Sequence, residues 1–288
     1  MLKKRIAATL VVKDGIIVQS LNFKKYLPVG KPSIAVEFLT KWGIDEIILL
    51  DISATTQKRQ PNYNMIKMAA AKCYVPLTVG GGITSVEHIK ELMHCGADKI
   101  ALNQAAIHKP SLITEAAQIF GNQCVVISID VVKSGNTYKV YDYLTKKTLT
   151  ISPTEMAIKV QELGAGEILV NSVDRDGSYT GYDIDLVNAI CQVATVPVIC
   201  CGGAKNAQDF VEVFSKTPVN AASAANFFHF SEHSVNITKS IMNHTIDVRL
   251  ETHADYSDNS FDMNLRLKKK EDTILEDMLF IRIEKEVI

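Results

Sequence analysis

The chain has 288 residues, 47% of them hydrophobic, with 31 Lys+Arg against 32 Asp+Glu and a formal net charge of -1. That balance supplies no net field for nucleic acid, and the basic run Lys268-Lys269-Lys270 is followed at once by Glu271 and Asp272, as on a solvated face. The first apolar stretch ends at Val12, too short to span a membrane, and the six cysteines are scattered without CxxC spacing, so a cytoplasmic protein with free thiols, no metal and no organic cofactor is expected.

Apolar runs of strand length recur at residues 6–12, 46–51, 76–80, 98–102, 124–130, 166–171, 196–201 and 219–225, each rich in Val, Ile or Ala. Between them apolar residues fall at helical spacing, as at Ile34, Phe38, Leu39 and Trp42, or at Met156, Val160 and Leu163. Strands alternating with helices imply parallel pairing, and near-continuous apolar strands imply burial on both faces. Eight such units fit a single closed (β/α)8 TIM barrel over residues 1–251 better than an open sheet. Residues 131–151 alternate apolar and polar side chains around Tyr138, Val140 and Tyr143, with Gly135-Asn136 and Lys146-Lys147 as turn candidates, and read as a hairpin insertion after the fifth strand. Residues 252–288 form a C-terminal extension, a polar linker over 255–264 followed by Ile274, Leu275, Met278 and Leu279 at helical spacing. Val79-Gly80-Gly81-Gly82 after the third strand and Cys201-Gly202-Gly203-Ala204 after the seventh occupy corresponding places, as in a barrel built from two half-barrels.

In such a barrel the chemistry sits where strands end, which singles out Asp51, Gly81, Gly82, Asn103, Asp130, Asn171, Asp176, Gly177, Gly202, Gly203 and Asn226. Two glycine turns on opposite sides of the mouth fit a substrate with two phosphates; the alternative is that glycine only relieves crowding where strand turns into helix. Asp130, closing the run Val125-Val126-Ile127-Ser128-Ile129, is the first candidate for general acid or base, whereas Asp51 and Asp176 are also natural caps of the turns that follow them. At the opposite end, Arg5, Glu46, Lys99 and Glu167 stand at or next to strand starts; taken singly each reads as a surface charge, whereas taken together two cations and two anions from alternate strands fit a ring that plugs the barrel bottom.

Val12-Lys13-Asp14-Gly15, Asp45-Glu46 with Leu50-Asp51-Ile52, Thr78-Val79-Gly80-Gly81-Gly82-Ile83, Pro110-Ser111-Leu112-Ile113, Gly164-Ala165-Gly166-Glu167-Ile168, Asp174-Arg175-Asp176-Gly177, Gly181-Tyr182-Asp183 and Phe228-His229-Phe230 together resemble the cyclase subunit of imidazole glycerol phosphate synthase, a lyase of histidine biosynthesis. The resemblance runs from Met1 to about Glu251. It implies a barrel that docks by its bottom on a glutaminase as a heterodimer and passes ammonia upward to a bisphosphorylated ribulosyl precursor, giving imidazole glycerol phosphate and an aminoimidazole carboxamide ribotide. It makes Arg5, Glu46, Lys99 and Glu167 an ammonia gate and turns Asp98 toward the partner. It places one phosphate at Gly82, Asn103 and Gln104, and the other at Gly177, Gly203, Ala225 and Asn226.

Four positions depart from that pattern, all on the substrate face. The family's first strand ends in an Asp that works with the one at Asp130; here Val11 stands in its place, leaving Asp176 or Asp51 as the possible substitutes. Gln19 replaces a Lys of the first loop, Gln104 a small hydroxyl residue, and Asn226 a Ser. The gate and partner face are kept. This pattern, with Lys25-Tyr26-Leu27-Pro28-Val29-Gly30 and Gln60-Pro61-Asn62-Tyr63, also resembles a paralogous branch from surface-polysaccharide (lipopolysaccharide) pathways, which implies a non-cyclase protein that activates a glutaminase and supplies ammonia to a sugar amidotransferase making amidino sugars.

Overall fold

Short apolar strands that bury both faces need side chains inside and helices outside, and the chain provides both. The computed structural model describes residues 3–229 and 233–250, with 260, 262, 263, 268, 271 and 273 beyond them. Phe230 and most of the C-terminal extension, including Ile274, Leu275, Met278 and Leu279, lie outside the described residues. Eight strands, Arg5–Lys13, Glu46–Asp51, Leu77–Gly80, Lys99–Leu102, Val125–Ser134, Glu167–Ser172, Val198–Cys201 and Ala221–Ala224, pair in parallel with their sequence neighbours. The first also pairs with the eighth, Arg5 opposite Ala221, so the sheet closes into a barrel. These are the first to eighth barrel strands below.

An outer helix follows each strand: Pro32–Lys41, Tyr63–Ala70, Val86–His94, Ser111–Phe120, Pro153–Glu162, Ile184–Val193, Ala207–Lys216 and Ser234–Met242. Their starts carry local signals that fix them. Ser152 with Glu155, and Asn206 with Asp209, form reciprocal capping boxes, and Pro153 stands in the first turn, where a missing N–H costs nothing. Outward-facing strand residues such as Ile6, Leu49 and Ile168 pack with these helices in one large core, while inward-facing Ala7, Ile48, Val126, Leu169, Ile199 and Ala221 fill the barrel itself. A single carboxylate ties the first barrel strand to the last outer helix and the segment after it: Asp45 accepts from the backbone N–H of Ile6 at 2.8 Å, from Lys239 Nζ at 2.5 Å and from Arg249 Nε at 2.9 Å.

The glycine turns meet a packing requirement. A Cβ at Gly81 would lie 2.2 Å from the carbonyl oxygen of Asp51, and one at Gly202 2.6 Å from that of Ser172, with φ of +108° and +102°. The same contact, a glycine resting on the end of the preceding strand, thus appears once in each half-barrel.

Two expectations change, and one element is new. The helix Pro32–Lys41 has the expected periodicity but buries Pro32, Val36 and Leu39, leaving Ile34 and Phe38 52% and 50% exposed, because the Val36–Leu39 pair rather than the Ile34–Phe38 pair faces the strands. The fifth strand runs on to Ser134 and pairs antiparallel with Thr137–Asp142 across Gly135-Asn136, while Lys147 lies in the short strand Lys147–Thr148 and the turn before it spans 143–146. A second hairpin, Ile16–Leu21 against Lys25–Gly30, follows the first strand. Pro28 and exposed side chains deprive its outer strand of the alternation that marks a half-buried strand.

Candidate functional site

At the strand starts, four charges neutralise one another. Arg5 donates to Glu46 and to Glu167, and Lys99 Nζ donates to Glu46 Oε1 at 2.9 Å and to Glu167 Oε2 at 2.7 Å. The Glu46 and Glu167 side chains are almost fully buried. Burial alone would lower the pKa of both cations, but the two carboxylates outweigh it and hold Lys99 and Arg5 above their usual values. Glu46, Lys99 and Glu167 come from alternate strands as expected; Arg5 does not, since it reaches in from the first strand where the eighth offers only the small Ala221 opposite it. Asp98, beside Lys99, is exposed and accepts from the backbone N–H of Leu77 at 2.8 Å.

Above the ring the barrel interior is first apolar, at Ala7, Ile48, Leu169 and Ile199, and then small and polar. Thr9 Oγ1 and Ser223 Oγ share a hydrogen bond of 2.6 Å, and the Cys201 thiol points at Thr9 from 3.8 Å. The interior opens at the strand ends into a cavity of about 1300 Å³ lined by Val11, Asp51, Gly82, Asn103, Gln104, Asp130, Asn171, Asp176 and Ala225 among others.

Asp130 faces this cavity from the fifth strand. Burial raises its pKa from the usual 3.8 to about 7, against hydrogen bonds from Asn171 Nδ2 at 3.2 Å and Asn103 Nδ2 at 3.1 Å that favour the charged form. Poised near neutrality and fixed by two amides, it can take or give a proton. Val11 lines the cavity from the first strand, diametrically across the closed sheet, and offers no second proton-transfer group. The two carboxylates expected as substitutes are occupied. Asp51 Oδ1 accepts from Ser53 N, Ala54 N and Ser53 Oγ, and Oδ2 from Arg59 Nη2 at 2.7 Å. Asp176 Oδ2 accepts from Ser20 Oγ at 2.6 Å and Phe23 N at 3.2 Å; burial raises its pKa against these bonds.

The expected phosphate-binding positions fall into two groups across the mouth. On one side Gly82 N donates to Thr55 Oγ1 at 3.1 Å, and buried Gln104 donates from Nε2 to Asn103 Oδ1 and to Asp142 Oδ1. Exposed His108 and Lys109 line the cavity nearby. On the other side a Cβ at Gly203 would lie 2.1 Å from the carbonyl oxygen of Gly181, and Asn226 bonds to the backbone of Ser20. Gln19, also on this side, donates to Tyr179 Oη at 3.0 Å. Arg59, Ser20 and Asp142 escaped sequence reading, because each acts through a contact made only after folding: Arg59 on Asp51, Ser20 on Asp176, Asp142 behind Gln104. Tyr143, from the hairpin after the fifth strand, also lines the cavity, with burial pushing its pKa up to about 12. Among the described residues no group of three His, Cys, Asp or Glu is placed to hold a metal, and no helix is long and apolar enough to cross a membrane.

The family model described as histidine biosynthesis protein matches residues 5–234, from the ring to the start of the last outer helix. The chain belongs to this family. Among relatives in the histidine biosynthesis family, the "Putative imidazole glycerol phosphate synthase subunit hisF2" of Vibrio vulnificus (strain YJ016) is 43% identical over 265 residues, covering 92% of this chain and 97% of that protein. The imidazole glycerol phosphate synthase subunit HisF of Streptococcus mutans serotype c is 43% identical over 251 residues, 86% of this chain and 100% of its own length. HisF of Lactiplantibacillus plantarum is 41% identical over 244 residues, 84% and 97% respectively.

Proposed function

We propose that this chain is the barrel subunit of a glutaminase-coupled synthase of the imidazole glycerol phosphate type, and that its preserved task is to receive ammonia at the bottom and deliver it at the top. The observation that carries this reading is the neutral ring of Arg5, Glu46, Lys99 and Glu167 lying in line with the cavity above it. A ring in which every charge is paired blocks free water, and displacing one flexible cation, Lys99, opens a passage without unpairing Arg5 from either glutamate. Asp98 then belongs to the face that meets the glutaminase. The apolar stretch at Ala7, Ile48 and Leu169 favours neutral ammonia over ammonium, and Thr9 and Ser223 offer it hydrogen bonds before the cavity.

At the top, Asp130 is the acid/base group. With Val11 opposite, ring closure of the ribulosyl precursor would run on a single carboxyl, since Asp51 and Asp176 are both engaged in local hydrogen bonds. That occupancy favours a second reading, in which the ammonia leaves for a sugar held by a separate amidotransferase, in an amidino-sugar pathway of surface polysaccharide.

One assay separates the two. Purified chain is given the ribulosyl precursor and excess ammonium salt at slightly alkaline pH, without glutaminase, and release of the carboxamide ribotide is followed. Turnover near 1 s⁻¹ or more, as for ordinary enzymes, establishes cyclase chemistry and turns the question to the residue that replaces the lost carboxylate. No turnover, from a chain that still stimulates a bound glutaminase, establishes delivery to another acceptor. Failure to stimulate any glutaminase, with Lys99→Met behaving as the parent chain does, refutes the ammonia reading itself.

A further inference from the structure

Four side chains at the barrel mouth stand in a single hydrogen-bonded line. Asp142, at the end of the hairpin strand Thr137–Asp142, accepts at Oδ1 from Gln104 Nε2 at 3.0 Å. The same nitrogen donates its other hydrogen to Asn103 Oδ1 at 3.1 Å. Asn103 Nδ2 donates in turn to Asp130 Oδ2 at 3.1 Å and to the carbonyl oxygen of Ser128 at 3.0 Å. The hairpin after the fifth strand is thereby joined, residue by residue, to the carboxyl inside the mouth.

The far end of the line is fixed. Asp142 is buried and also accepts from Leu144 N and from Thr145 Oγ1, each at 2.9 Å, while His108 Nε2 lies 3.4 Å from its Oδ2. Burial alone would raise its pKa, but the bonds from Thr145, Gln104 and Leu144 outweigh burial and lower it, so Gln104 faces a charged acceptor. Turning the Gln104 amide over would set its oxygen against Asp142 Oδ1 and Asn103 Oδ1, acceptor facing acceptor. Asn103 is in consequence held at both ends of its amide, by Gln104 at the oxygen and by Ser128 at the nitrogen. Released at the oxygen, it can pivot about the single bond to Ser128, and nothing then keeps its second hydrogen aimed at Asp130.

Gln104 does not earn its place by stability. Its side chain is buried, and its Oε1 has no hydrogen-bond partner. An acceptor buried without a partner carries a desolvation cost that an apolar side chain of similar length would avoid. The titratable groups that act on or respond to Asp130 from the other elements are Asp176, Tyr26 and Tyr143. Asp176 is engaged with Ser20 and Phe23, and burial of both phenols raises their pKa, so they stay protonated at neutral pH.

We infer that Gln104 is a positioning residue: anchored by Asp142, it holds the Asn103 amide against Asp130 and so sets how readily that carboxyl gives up its proton. The inference takes its catalytic meaning from the reading of Asp130 as the acid/base group, but its test needs neither substrate nor glutaminase.

The full chain with isotope-labelled aspartate carboxyls is titrated by NMR, and the Asp130 resonance is assigned by its loss in Asp130→Asn. Parent, Gln104→Met, Asn103→Ala and the double variant are compared. Donation by Asn103 favours the ionised form, so Gln104→Met should raise the Asp130 midpoint by about 0.5 in pH or more, a roughly threefold gain in proton affinity. Its urea midpoint should equal or exceed that of the parent, which separates positioning from a structural role. Asn103→Ala should raise the Asp130 midpoint at least as far, and Gln104→Met should add nothing in that background. An Asp130 midpoint that is unchanged or lowered in Gln104→Met overturns the inference, as does an effect of Gln104→Met that survives in Asn103→Ala. Gln104→Leu, which removes the same donors, repeats the comparison should methionine pack poorly. The comparison is decided wherever the parent midpoint lies; a midpoint near the ordinary 3.8 would instead remove the acid/base reading of Asp130.

Discussion

The bottom and top of this barrel use their charges in opposite ways. At the bottom, Arg5 and Lys99 each contact both Glu46 and Glu167, and the four side chains form one closed set. At the top, Asp51, Asp130 and Asp176 never meet: one caps a turn and pairs with Arg59, one is held by two asparagines, and one anchors a hairpin. A closed ring tolerates no loss, because each member neutralises two others. A dispersed set tolerates the loss or reassignment of one member.

The comparison is sharpened most by rebuilding the top. Val11→Asp supplies a second carboxyl on the strand across the barrel from Asp130. It is expected to raise ammonium-dependent turnover of the ribulosyl precursor by about 10² to 10⁴-fold over the parent chain. No gain from Val11→Asp would mean that the missing carboxyl is not what limits that turnover.

Breaking the bottom comes next. Glu46→Ala leaves Arg5 and Lys99 with a single shared counterion, and urea unfolding should show a loss of roughly 3 to 5 kcal/mol, as for other broken buried ion pairs. A loss below about 1 kcal/mol would mean that the ring is hydrated and open.

Asp130→Asn tests the solitary carboxyl. A carboxyl whose folded pKa is about 7, above the usual 3.8, takes up a proton on folding, so its contribution to stability is present at low pH and is lost as pH rises from about 4 to about 7. The asparagine variant should match the parent below pH 4 and exceed it at pH 8 by on the order of 2 kcal/mol, read from denaturation midpoints across pH. A variant less stable than the parent at pH 8 would place the Asp130 pKa near its ordinary value. The smallest effect belongs to Thr78→Val, which deletes the 3.2 Å bond to Glu46 Oε1 at nearly constant volume and should lower stability by about 1 kcal/mol.

How much of this was legible beforehand follows from what each feature depends on. The eight strands and their order could be read because each is a largely apolar run, and the ring because its four charges stand at or beside the starts of such runs. The outer face of the helix Pro32–Lys41 misled because Phe38 and Trp42, with ring centroids 5.9 Å apart, mimic a core stripe. The hairpin Ile16–Leu21/Lys25–Gly30 was illegible for a different reason. Its turn places Asn22 and Phe23 at φ of +54° and +55°, a conformation that Asn accepts readily and Phe does not. Phe23 keeps it because its N–H is held by Asp176, far along the chain, and no local pattern announces such a partner. The occupancy of Asp51 was half legible: its capping of Ser53 and Ala54 follows from position, its pairing with Arg59 does not.

Asp45 bears on where this chain can be shortened or re-joined. It gathers the backbone of Ile6, the last outer helix through Lys239, and the segment beyond it through Arg249, whose Nη2 also donates to the carbonyl oxygen of Ile44 at 2.8 Å. Ending the chain at residue 250 keeps all of these contacts, whereas ending it at 245 removes the guanidinium and weakens the seam between the first and last segments of the barrel. The beginning and the end of the barrel thus meet at one carboxylate, and linking residue 250 to residue 3 by a short peptide, with new ends opened at the exposed turn Gly135-Asn136, would yield a permuted barrel with that seam unbroken.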